Sequence, residues 1–167
     1  MDLALMNTAD SSEEGAWLEI LDFDWETPIG CSLLVLGPDS REALKINDEE
    51  EKFNQKRLAE SFAGSKKSKD SADNEVGADK AIRKALALTK GWKDVEWDGK
   101  PFPFNTENAL ILFTKIPHIR VQVLNFYRDR ANFMKPEYAN WRKRFGEGSS
   151  STSPGKAEAA SGQPSKP

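Results

Sequence analysis

Apolar positions fall in separated blocks along the chain, and each block has a period that predicts an element. Ala16 to Asp22 (AWLEILD) and Cys31 to Leu36 (CSLLVL) read as short strands, separated by a turn that contains Pro28 and Gly30. They predict an antiparallel pair lying on helices. Gly37-Pro38-Asp39-Ser40-Arg41-Glu42 has the form of a helix start, with Asp39 as N-cap and Glu42 three residues later completing a capping box. This helix runs to about Phe62. Its apolar residues (Ala43, Leu44, Ile46, Phe53, Leu58, Phe62) are sparse and interrupted by the acidic block Asp48 to Glu51, so most of its surface is wet. It suits either an arm against another subunit or a narrow seam on its own domain.

Residues 64–77 show no period and predict a surface loop. Ala78 to Thr89 resumes as a helix with Ala78, Ala81, Ile82, Ala85, Leu86 and Thr89 on one face, and Lys90-Gly91 supplies C-cap chemistry with Trp92 packing back. Asp98-Gly99 predicts a type I′ hairpin, because both central positions need positive φ. Pro101 and Pro103 cannot donate to a ladder, which keeps that hairpin short. Asn105 or Thr106 then caps a helix over Glu107 to Ile116, and Pro117 ends it and opens a second over His118 to Met134. Facing apolar stripes predict a two-helix hairpin.

A last helix, Glu137 to Phe145, carries Tyr138, Trp141 and Phe145 at i, i+3 and i+7. The expected architecture is α+β: a small N-terminal strand pair and a short hairpin packed with about four to five helices. Its domain spans residues 16–146, between a flexible acidic lead-in (1–15) and a disordered, low-complexity Ser/Gly/Ala/Pro tail (147–167).

Composition supports one domain only, since the 167 residues are 38% hydrophobic and 31% charged. The net charge of -3 hides a polarised distribution. Residues 1–37 hold eight acids and no Lys or Arg, whereas residues 118–145 hold seven bases against Asp129 and Glu137. Cys31 has no internal disulfide partner and sits in an apolar run, as a small buried hydrophobe does. No basic n-region or apolar run long enough to cross a bilayer is present, which places the chain in the cytosol.

Little in the sequence points to catalysis. Asp22, Asp24 and Glu26 alternate, but a hard cation needs several rigid, converging oxygens, and a solvated strand end accounts for them better. His118 is the only histidine and opens a helix, where a surface or packing role outweighs a general base. One His and one Cys exclude a Cys/His zinc cluster, and no GxSxG, GxxxxGK[ST] or GxGxxG pattern occurs. We expect no cofactor and no enzyme.

The order Gly91-Trp92, Asp98-Gly99-Lys100-Pro101-Phe102-Pro103-Phe104, Thr106-Glu107-Asn108-Ala109 and Asp129-Arg130-Ala131-Asn132-Phe133, with Leu36-Gly37-Pro38-Asp39-Ser40 upstream, resembles the tail assembly chaperones of bacteriophages with long non-contractile tails. The resemblance covers about Trp17 to Lys135. It implies a protein of the host cytoplasm that coats the tape measure protein and recruits tail tube protein during tail morphogenesis. In that family a longer frameshifted product is common, and Pro154-Gly155-Lys156 is codon-compatible with a slippery heptamer.

Such a function needs an apolar groove for an aggregation-prone helix. Leu110, Phe113, Leu124 and Tyr127 on the helical hairpin, and Tyr138, Trp141 and Phe145 beyond it, are the candidate partner-binding residues. Self-association is a further option. A second reading, a nucleic-acid-binding accessory protein, would use Arg120, Arg128, Arg130, Arg142, Lys143 and Arg144 beside Tyr127, Trp141 and Phe145, although an isoelectric point near 5.4 opposes it.

Overall fold

The sheet has three strands where the sequence predicts two. A computed structural model of the chain describes residues 3–63 and 70–145, except for the side chains of 70–76 and 145. Within it β1 (Ala16–Leu21) pairs antiparallel with β2 (Pro28–Val35), whose other edge takes β3 (Thr89–Lys93), also antiparallel. The registers Leu18↔Leu33 and Leu33↔Trp92 fix the faces. In β2, Cys31, Leu33 and Val35 are buried and the residues between them are half-buried, the period-2 pattern of a strand with one core face. Lys90-Gly91 therefore lies inside β3 and does not cap a helix. The helix ends one step earlier, at Leu88, whose carbonyl accepts from Leu36 N–H at 2.8 Å.

The N-terminal residues are not a loose lead-in. A 3-10 turn (Leu3–Met6) and α1 (Ala9–Glu14) precede the sheet, with Thr8 and Ser12 buried. Polar contacts hold this segment: Ser12 C=O accepts from Gly37 N–H at 2.8 Å, Glu13 Oε2 from Arg41 N–H at 2.9 Å, and Ser11 Oγ donates to Phe133 C=O at 2.5 Å. With few large apolar residues, the segment leaves no hydrophobic period to read.

Helix α2 (Arg41–Phe62) starts where expected, but Ser40 is its N-cap, with Oγ accepting from Ala43 N–H at 3.3 Å. Helix α3 (Asp70–Leu88) begins inside the expected 64–77 loop. Residues 64–69 of that loop lie outside the described residues.

The small hairpin β4 (Glu96–Trp97) and β5 (Lys100–Pro101) turns at Asp98 (φ 52°) and Gly99 (φ 71°), both left-handed as a type I′ turn requires. Helix α4 (Thr106–Lys115) is capped by Asn105, which accepts from Asn108 N–H at 2.7 Å. Helix α5 (Pro117–Arg128) opens on its proline but stops short of Met134. Asp129 breaks it: its Oδ1 accepts from Ala131 N–H at 2.9 Å and starts a separate 3-10 turn, Arg130–Phe133.

The core lies between the sheet and α3, α4 and α5. Ile20, Leu33 and Val35 from the strands and Leu88, Phe113 and Val123 from the helices are all 0% exposed in one cluster. Met1–Lys135 form one compact unit, and the described residues after it, 136–145, belong to a second. Helix α6 (Pro136–Phe145) belongs to the second unit, and the tail 147–167 lies outside the described residues.

Candidate functional site

The expected partner-binding residues separate by burial. Phe113 is fully buried and Tyr127 is 5% exposed, so both belong to the core and neither can line an open groove. Leu124 is half-buried against the same core. Leu110 faces outward, as does its neighbour Ile111. A broad apolar stripe does not tell which of its edges is covered; here α3 and α5 take the Ala109, Leu112 and Phe113 side of α4. In the second unit Tyr138 and Trp141 stack with ring centroids 6.0 Å apart and are half-buried. The side chain of Phe145 lies outside the described residues.

The basic residues of the nucleic-acid reading are partly engaged elsewhere. Arg120 Nη1 donates to Phe113 C=O at 2.9 Å, and Arg130 pairs with Asp39 at 2.9 Å. The acidic strand end is also structural. Asp24 accepts from the Thr27 hydroxyl at 2.6 Å and from the Thr27 and Glu26 N–H groups at 2.9 Å, and these bonds hold its carboxyl down to about 2. His118 lies between Phe23 and Trp25, with ring centroids at 4.6 and 4.7 Å, and its Nε2 is 3.1 Å from Leu21 O and 3.0 Å from Asp22 O. It anchors the β1–β2 turn. Cys31 is buried, and desolvation pushes its thiol up, away from reactive thiolate. Among the described residues no group of three or more His, Cys, Asp or Glu converges as a metal site would, and no helix is long and apolar enough to cross a membrane.

The surface feature that sequence reasoning missed is a cleft between α2 and α3, of about 560 Å³. The two helices run antiparallel beside it. Lys84 of α3 reaches Asn47 (3.1 Å) and Glu50 (2.8 Å) of α2, while one turn earlier on α3, Lys80 lies 3.8 Å over the ring of Phe53, one turn further along α2. Lys84 is only 9% exposed, and Tyr127 of α5 closes around it, with its hydroxyl donating to Asn47 Oδ1 at 3.1 Å and its ring 5.2 Å from the ammonium. Lys at this position reads as a solvent-facing residue of an amphipathic helix, and only the tertiary packing buries it.

The chain matches no family model, no curated protein and no solved structure.

Proposed function

We propose that this protein is a tail assembly chaperone of a long-tailed bacteriophage. It holds the tape measure protein soluble by non-covalent contact in the host cytoplasm and helps bring tail tube protein to it, without chemistry or nucleotide.

One observation carries the reading. Helix α2 is 22 residues long and commits a single residue, Ala43, to the buried core. Ile46 is half-buried against that core, and the other large apolar side chains are exposed: Leu44 at 56%, Phe53 at 40%, Leu58 at 59% and Phe62 at 85%. Tertiary packing of an apolar face is what normally stabilises a helix of this kind. A helix left this bare by its own domain suits a protein that spends its working life against another helical chain.

Co-expression with a tape measure protein from the same phage tests the proposal. The two should co-purify, and the tape measure protein should precipitate when expressed alone. If it is equally soluble alone, or fails to co-purify, the chaperone reading falls.

A further inference from the structure

The α2–α3 cleft is asymmetric in charge. Its apolar floor is Ile46, Phe53 and Ala87. Glu42 and Glu49 stand along the α2 wall, and Lys80 and Arg83 along the α3 wall. Glu50 and Lys84 already satisfy each other across the floor at 2.8 Å. Glu42, Glu49 and Arg83 form no ion pair among the described residues, so their charges remain available to a third partner. Two residues run against this pattern, Lys45 on α2 and Asp79 on α3. Because the helices are antiparallel, those two fall at opposite ends of the cleft, and its middle is bounded by Glu49 on one side and Arg83 on the other.

We propose that this cleft is the docking site for an amphipathic α-helix with an apolar ridge, a basic flank and an acidic flank. Resting on the chaperone reading, this assigns both the client-binding surface and the chemistry of the client segment. The ridge lies on Phe53, Ile46 and Ala87, the basic flank meets Glu49 and the acidic flank meets Arg83. A helix laid between two others is the helix-in-groove mode of recognition. The two walls have a further effect. A half-turn about the normal to the cleft exchanges a helix's flanks and reverses its direction, so a helix with unlike flanks satisfies both walls in one direction only. The cleft therefore sets the polarity of the bound segment. The apolar floor supplies affinity and the flanking charges supply selectivity.

Three synthetic helical peptides with one shared Leu ridge, about 20 residues and so about 30 Å long, serve as probes. One has a basic and an acidic flank, one has two basic flanks and one has two acidic flanks. Fluorescence anisotropy with the wild-type protein should rank the mixed peptide tightest. Arg83→Glu reverses the charge at the middle of the α3 wall, with Lys80 still beside it, and should move the preference toward the all-basic peptide. Glu49→Lys reverses the charge at the middle of the α2 wall, with Glu42 still beside it, and should move it toward the all-acidic one. Each change should alter relative Kd roughly fivefold, the scale of a partly exposed ion pair. Phe53→Ser should weaken all three peptides without lowering the unfolding temperature, since Phe53 is 40% exposed. If all three proteins rank the peptides alike, or the mixed peptide does not bind the wild type, the cleft is not a helix site. If Phe53→Ser loses the peptides yet still captures the tape measure protein, the client docks elsewhere and this assignment falls while the chaperone reading stands. If the ranking shifts as described but no tape measure protein is captured, the helix site stands and the chaperone reading falls.

Discussion

Arg130 reaches Asp39 across 91 positions of sequence, with Nη2 2.9 Å from Oδ1 and Nε 3.3 Å from Oδ2 of the same carboxylate. The Thr8 hydroxyl donates to Oδ2 as well. One side chain thus joins the N-terminal segment, the entry to α2 and the 3-10 turn after α5. These hydrogen bonds, Arg130 first and Thr8 next, hold the Asp39 carboxyl below its ordinary range.

The sign of the linkage follows from that direction. A depressed folded-state pKa adds stability above the ordinary carboxylate pKa of about 4, and that stability is lost as pH falls through the folded value. Asp39→Asn should therefore unfold more easily at pH 7 and show a weaker loss of stability on acidification below about pH 4 than the wild type. Arg130 is 63% exposed, so the neutral-pH cost should stay near or below about 1 kcal/mol. Urea unfolding followed at several pH values measures both.

Neighbouring residues of α4 should respond in opposite ways. Phe113→Ala empties a site that is 0% exposed and should cost about 3–5 kcal/mol, whereas Leu110→Ser, at a 47% exposed position, should stay within about 0.5 kcal/mol. Thermal unfolding of the two variants side by side makes the comparison.

Gly37 is required by close approach. A Cβ there would fall 2.3 Å from Ser12 Oγ and 2.7 Å from Ser12 Cα. Gly37→Ala should push α1 off the domain, at a cost of about 1–3 kcal/mol, and expose the N-terminal segment to protease. Ser12→Gly in the same chain should restore only part of the loss, because the Cα remains in the way. Limited proteolysis with N-terminal sequencing reads this directly.

Tyr138→Ala and Trp141→Ala should leave the main unfolding transition in place, because α6 belongs to a different compact unit from Met1–Lys135. Near-ultraviolet circular dichroism should lose the signal of the stacked pair while the transition midpoint holds. A midpoint several degrees lower in either variant would place that residue in the main cooperative unit.

Rules that act over a few residues were legible in the sequence. A cap at Asn105 or Thr106 for α4, Pro117 opening α5 and the Asp98-Gly99 turn each depend on neighbours only; the cap is Asn105, and the other two stand where the residues put them. The α+β class followed from the same local signals. Elements defined by distant partners were not legible. Thr89–Lys93 is short, has a glycine in the middle and becomes a strand only because Leu33 and Ser32 lie opposite Trp92 and Lys93. Helix α1 is held by Gly37, Arg41 and Phe133, none of them adjacent in sequence. The cleft followed the same logic: Phe53 was visible as an apolar residue on a wet helix, but the lysine over its ring comes from α3.

The third strand also bears on how the chain stays apart from its own copies. A chain made from its N-terminus completes β1 and β2 well before Thr89 exists, so for that interval the outer edge of β2 offers unpaired backbone groups from Ser32 to Val35. Any other extended strand could pair there. When β3 arrives it replaces this edge, which is flanked by Leu33 and Leu34, with one that carries Lys90 and Lys93 around Gly91. Lysine on an outer strand discourages further strand addition. The last strand of this sheet to be synthesised thus ends it with an edge that resists aggregation, a useful property in a protein whose proposed task is to keep another chain from aggregating.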